Sequence, residues 1–193
     1  MSQSAFVSGT SAAFLGDRPP PRAARERPVV FVLGPPGSGK SLVARRLAQP
    51  AEALELDEAA LAKAVAHYTR RRRWSGGVLD APALIIDGPC FLDRRPGYAL
   101  AVLALLDARL TAGRRTFVTE PADGSTMKQL LDGVSIAHRA TVLLRFPVGR
   151  GRRRYALSVC DELNIDPARA RATASIEPWT YAAVREALRA HQG

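Results

Sequence analysis

Positions 34 to 41 read Gly34-Pro35-Pro36-Gly37-Ser38-Gly39-Lys40-Ser41. Glycine, four residues, glycine, lysine and serine is the spacing of a phosphate-binding loop. Glycines let successive backbone N–H groups turn toward one anion. A lysine at this place reaches β- and γ-phosphates, and a serine hydroxyl can ligate Mg²⁺. Such a loop must lie between a strand and a helix, whose N-terminal partial charge completes the anion site. Both are there. Val29 to Leu33 is an unbroken apolar run, as in a buried parallel strand, and Leu42, Val43 and Leu47 start a helical apolar spacing. A glycine-rich turn with an incidental lysine would lack that setting. Pro36, Gly37, Ser38, Gly39, Lys40, Ser41 and Leu42 are the expected contacts, with ATP and Mg²⁺ as cofactors.

A second strand-like run, Ala83 to Asp87, ends in a carboxylate. This is the pattern of an NTPase acid that orients Mg²⁺, at the strand end where parallel sheets bind ligands. Ser41 and Asp87 are therefore the expected metal pair. Many ATPases carry a Glu directly after this acid to polarise the attacking water. Here that residue is Gly88. The nearest carboxylate on a neighbouring strand end is Glu120, placed at the start of the loop after a strand Arg115–Thr119. It also reads as a loop cap before Pro121 or an arginine's partner. Nucleotide binding is expected, with slow hydrolysis.

Around these residues, strands alternate with helical patterns: strand Ala53–Leu56, helix Glu58 to about Arg70, helix Tyr98–Ala112, short helix Thr126–Leu131 and strand Ala140–Phe146. That alternation predicts an α/β fold with a parallel sheet covered on both faces. After Pro147 no strand follows. Helices are expected over Tyr155–Leu163, Pro167–Ala174 and Pro178–Ala190. The division is an N-terminal segment and proline-rich linker over 1–27, a core over 28–147 and a helical lid over 148–193. Gly76-Gly77 reads as a turn.

The chain has 193 residues and a formal net charge of +10. Only Lys40, Lys63 and Lys128 among its basic residues are lysines. Such a balance fits a polyanionic partner or arginines spread over a solvated surface. No apolar run approaches the ~20 residues of a membrane span. No secretion signal is evident, and Cys90 and Cys160 form neither a disulfide framework nor a metal motif. A cytoplasmic location and no membrane partner are expected.

Four stretches together resemble the AAA+ ATPases, specifically the AAA+ module of the replication initiator DnaA and its stand-alone relative Hda. They are Phe6 to Ser11, Gly34 to Ser41, Leu84 to Leu92 with the strand Arg115–Thr119, and Pro178 to Glu186. The resemblance implies a P-loop NTPase fold with five parallel strands in the order 5-1-4-3-2. It implies that Phe6 and Val7 lie against the adenine, that Arg185 in the lid helix senses the γ-phosphate, and that Arg139 compares with the arginine finger offered to a neighbouring subunit. It places Glu120 at or beside the first-sensor position. Self or another AAA+ subunit is then the partner, through the nucleotide interface, in DNA replication, recombination or their control. The chain ends after the lid, which fits a regulator or partner subunit.

Arg70, Arg71, Arg72 and Arg73 beside Trp74 fall where that family inserts a helix pair contacting single-stranded DNA. Charge plus a stacking face suits single strands; cations at a helix end are also favourable without a partner. Arg139 equally reads as a solvated strand-start arginine, and Arg185 as the partner of Glu186 or another carboxylate. Two rival functions use the same loop. A small P-loop kinase would need an acceptor acid such as Asp57 and a closing lid such as Arg150–Arg154. A non-hydrolysing, nucleotide-gated scaffold would be consistent with Gly88.

Overall fold

The computed structural model describes residues 5–7, 22–89, 96–120, 125–144, 150–177 and 180–190. Expectations resting on Ser8 to Ser11, the prolines 19–21, Cys90 to Leu92, Pro121, and Pro178 with Trp179 lie outside them.

The centre is β2 (Val29–Leu33), buried along its whole length. Its apolar side chains face both ways because helices cover both faces of the sheet. It pairs in parallel with β5 (Arg115–Glu120) and β6 (Arg139–Leu144). β4 (Ala83–Asp87) pairs with β5, and β3 (Ala53–Leu56) with β4, again in parallel. The three-residue β1 (Ala5–Val7) takes the outer place beside β6, so the sheet order is β1-β6-β2-β5-β4-β3. The five parallel strands thus have the order expected from the resemblance. Glu120 is the last residue of β5 rather than the first of a loop.

The helices of this layer are α1 (Arg22–Glu26), α2 (Lys40–Ala48), α3 (Glu58–Arg71), α4 (Gly76–Asp80), α5 (Pro96–Thr111) and α6 (Ser125–Gly133). Two depart from expectation. The end of the supposed linker is helical, held by Arg22 bonding Glu26 at 2.6 Å one turn on, with Ala24 buried. The Gly76-Gly77 turn instead opens α4. There Arg72 enters the left-handed region at φ 53° and donates its N–H to Tyr68 O, ending α3. The chain then folds Trp74 onto Tyr68, ring centroids 4.3 Å apart and 8° from parallel.

A buried arginine fixes this insertion. Arg109 of α5 is 0% exposed. Its Nε donates to Thr116 Oγ1 at 2.9 Å. Nη1 donates to Val78 O and Leu79 O at 2.6 and 3.0 Å, and Nη2 to Ala81 O and Arg115 O at 3.0 and 2.8 Å. All five guanidinium donors find acceptors. Several are the last carbonyls of α4, where partial negative charge collects.

The described residues from 22 onward group into two compact units. The first is the α/β unit, 22–143 without 35–39. The second is helical and includes loop residues 35–39 with α7 (Arg150–Leu163), α8 (Arg169–Thr173) and α9 (Tyr181–Arg189). Its core is Tyr155, Ala156, Val159, Cys160, Ala170, Tyr181, Val184 and Leu188. Tyr155 meets Tyr181 edge-on with centroids 4.5 Å apart. Thr180 caps α9 by accepting Ala183 N–H at 2.9 Å. Gly37, at φ +74°, lies so close to this cap that an added Cβ would be 2.9 Å from Thr180 Cβ. Only glycine fits there.

Candidate nucleotide site

The carboxyl ends of β2, β4 and β5 bring chemistry together in the α/β unit. In register, Asp87 stands opposite Thr119, and Leu33 opposite Glu120. The Ser41 hydroxyl donates to Asp87 Oδ1 at 2.8 Å. The Thr119 hydroxyl makes a short bond to the same oxygen. Gly88 N–H returns to Thr119, donating to its carbonyl at 3.1 Å and its Oγ1 at 3.3 Å. Asp87 is thereby held from two sides through one oxygen. The sequence marks the strand Arg115–Thr119 but not the Thr119 hydroxyl as part of the site, because a threonine near the end of an apolar run carries no spacing signal.

Lys40 starts α2 and donates its Nζ to Gly34 O at 2.9 Å. Burial pushes its ammonium below the usual lysine range, while the Asp87 and Glu120 carboxylates pull it back up. Both acids therefore lie within electrostatic reach of this cation. Glu120 is 1% exposed, and its backbone oxygen accepts Gly34 N–H at 3.2 Å. Gly88 takes φ +68°, and a Cβ there would meet nothing within 4 Å.

The loop glycines Gly37 and Gly39 both have positive φ, which the curling of such a loop requires. Pro36, Gly37 and Leu42 are exposed, and Gly39 partly so. The Ser38 hydroxyl is buried with no hydrogen-bond partner among the described residues. A phosphate oxygen would satisfy it. Hydroxyl and carboxylate together are oxygen donors suited to Mg²⁺, so the residues present fit ATP and Mg²⁺. Ser41 and Asp87 would hold the metal, which would draw charge from the β- and γ-phosphate oxygens.

The remaining sequence-selected residues fall elsewhere. Arg139 begins β6 opposite Val29, at the amino end of the strands, so it lies across the sheet from Lys40. Its Nη1 is buried and lacks a partner among the described residues. Arg185 lies in the helical unit and makes a short ion pair with Glu162, not Glu186. That bond, with Tyr155 beside it, raises the Arg185 guanidinium above its ordinary value. Phe6 and Val7 lie in β1. Arg70 to Arg73 are exposed, but Trp74 is not the stacking face expected of it: at 8% exposure against Tyr68 it belongs to the core. Asp57, the kinase acceptor acid, accepts Ala60 N–H at 2.8 Å as the cap of α3. Arg152 pairs with Glu177 at 2.5 Å, while Arg150, Arg153 and Arg154 are exposed.

No protein-family model matches the sequence, and no curated protein does. Solved structures do. AMPPCP-bound DnaA from Aquifex aeolicus aligns with a TM-score of 0.71 and 9% identity, over 88% of this chain and 56% of that one. Replication initiator DnaA bound to AMPPCP and single-stranded DNA gives 0.70 and 10%, over 88% and 58%. Domain III of Thermotoga maritima DnaA gives 0.67 and 12%, over 86% and 75%. The chain spans little more than half of the two AMPPCP-bound structures. The fold is the α/β P-loop fold of AAA+ ATPases. Within that class it is similar to the AAA+ module of DnaA, a likeness of architecture at low identity. Among the described residues no helix is long and apolar enough to cross a membrane.

Proposed function

We propose that this chain is a nucleotide-dependent AAA+ module. It binds ATP with Mg²⁺ at the Gly34–Ser41 loop and Asp87, and assembles with itself or another AAA+ subunit, or docks a partner, through the nucleotide-bearing face. Its process is DNA replication or recombination, or their control, with slow hydrolysis. The observation that carries the reading is the convergence of Ser41 and Thr119 on one oxygen of Asp87, beside Lys40, at the strand ends. A half-buried cation beside two acids at these strand ends suits a Mg²⁺-bound triphosphate. The AMPPCP-bound DnaA structures of the same fold support it.

In this reading residues 28–147 form the core and 148–193 the lid. Lys40 neutralises the β- and γ-phosphates. Arg185 reads the γ-phosphate once it leaves Glu162. Arg139, at the amino end of the strands and so at the opposite end from its own Lys40, would serve a neighbour's nucleotide. Phe6 and Val7 would flank the adenine. Exposed Arg70 to Arg73 would hold a polyanion such as single-stranded DNA, as the DNA-bound DnaA structure suggests. The kinase alternative loses support because Asp57 is committed to capping α3.

Light scattering after gel filtration tests the proposal, run with ATP–Mg²⁺, with ADP–Mg²⁺ and without nucleotide, alone and with a single-stranded oligonucleotide. A mass that rises with ATP is expected. An unchanged mass, with no heat of ATP binding by calorimetry, would overturn it.

A further inference from the structure

Resting on that nucleotide reading, we propose that Glu120 is the proton acceptor for the attacking water, taking a role that the residue after Asp87 does not fill. Three observations converge. First, the position after Asp87 has no side chain and a backbone committed elsewhere. Gly88 sits at φ +68° with its N–H on Thr119 O and Oγ1. The left-handed region costs a non-glycine residue roughly 1–2 kcal/mol. A carboxylate at 88 would therefore strain the turn that holds Asp87 in place.

Second, Glu120 is carried by β5, the strand between those bearing the phosphate loop and Asp87. Opposite Leu33, with its carbonyl on Gly34 N–H, it lies level with the start of the loop. Third, Glu120 is only 1% exposed, an uncommon setting for an acid at a strand end.

The step balances without another reagent. A water oxygen bonds to the γ-phosphorus as the bond from that phosphorus to the β–γ bridging oxygen breaks. The bridging oxygen keeps the electron pair and leaves with ADP. The water proton passes to a Glu120 carboxylate oxygen and returns to solvent or phosphate afterwards. General-base assistance of this kind is worth about 10²- to 10⁴-fold in rate.

The test is phosphate release under single turnover, with protein in excess so that assembly is complete. Wild type, Glu120→Gln and Glu120→Asp are compared from pH 5.5 to pH 9 (roughly), with ATP affinity measured in parallel by calorimetry. Glu120→Gln should bind ATP within about threefold of wild type and lose at least about 10²-fold in rate, as expected for a missing general base. The acid limb of the rate profile should vanish with it. Glu120→Asp keeps the base one methylene further back, and should retain intermediate turnover and that limb. It also keeps the inference testable should Glu120→Gln not fold. ATP binding with turnover unchanged in Glu120→Gln, or with no wild-type turnover, would overturn this role alone. Failure of wild type to bind ATP would overturn the nucleotide reading and this role together.

Discussion

Arg109→Met replaces a fully buried guanidinium with an apolar side chain of similar length. Five acceptors lose their donor at once: Val78 O, Leu79 O, Ala81 O, Arg115 O and Thr116 Oγ1. A buried acceptor left dry costs about 1–3 kcal/mol. Not all five would stay dry, because Leu79 and Ala81 lie near the surface and water can reach their carbonyls. Thr116 is wholly buried and has no such relief. Against this stands the recovered cost of burying the charge, several kcal/mol per ion. The balance is about 3–5 kcal/mol of destabilisation, the range for removing one member of a buried charged set. In a chain of this length that lowers Tm by roughly 10 °C. Burial first, and Arg114 second, push the Arg109 guanidinium down to about 10. It remains protonated at neutral pH, so the burial cost is fully present there. Because its folded value lies below the unfolded one, that cost is relieved only as pH rises above about 10, and between pH 6 and 9 (roughly) the deficit should be flat. Urea unfolding at two pH values measures it, with hydrogen exchange over α4 reporting where the loss falls. Arg109→Lys, with three donors, should recover only part. A loss under about 1 kcal/mol for Arg109→Met would refute the reasoning, since it would mean that water already serves those carbonyls.

Lys40→Ala should abolish ATP binding by calorimetry without lowering the thermal midpoint, because the lost ammonium is one that burial disfavours. Arg185→Ala should weaken ATP binding more than ADP binding, whereas Glu162→Gln, which frees that arginine from its ion pair, should shift the preference toward ATP; equal effects on both nucleotides would remove Arg185 from the site. Replacing Arg71 and Arg72 with Glu should remove most binding of a labelled single strand, measured by anisotropy at low salt. The wild-type affinity should fall steeply as salt rises, as phosphate contacts require. Trp74→Ala should cost about 3–5 kcal/mol of stability as a buried aromatic.

How much of this was legible in the chain depends on the range over which each feature is encoded. Val29–Leu33 and Ala83–Asp87 form the strands their apolar runs predict, residue for residue, because a strand buried on both faces needs no partner to be recognised; the half-exposed Ala53–Leu56 also forms within its expected bounds. The glycine loop was equally local. Trp74 was not. Its neighbours are arginines, and only the left-handed turn at Arg72 brings its ring back over Tyr68. Thr119 and Glu120 belong to the site through register, and register with β2 and β4 is a property of the assembled sheet. α4 is held by Arg109, whose sequence position 28 to 31 residues away makes it look like any helix arginine.

The same distinction bears on the positive charge. A formal charge of +10 invites a polyanion, yet several arginines are occupied by the protein itself. Arg109 closes α4 from within. Arg115 reaches Leu47 O and Ala24 O at 3.1 and 2.8 Å and lies over the Phe117 ring. Arg45 grips Glu55 with two bonds of 2.7 Å, and Arg152 and Arg185 have carboxylate partners in the helical unit. A guanidinium can satisfy several carbonyls at a helix end where a lysine offers only a point charge, so a preference for arginine over lysine has a structural cause independent of any ligand. Among the described residues the longest run of exposed arginines is Arg70 to Arg73, at the end of α3. With Trp74 withdrawn into the core, that run has charge without a stacking platform. It would therefore read phosphates rather than bases, and binding there should show no base preference: oligo-dT and oligo-dA of equal length should bind alike and lose affinity with the same salt slope. A strong preference for one base would require an aromatic surface that this turn does not present.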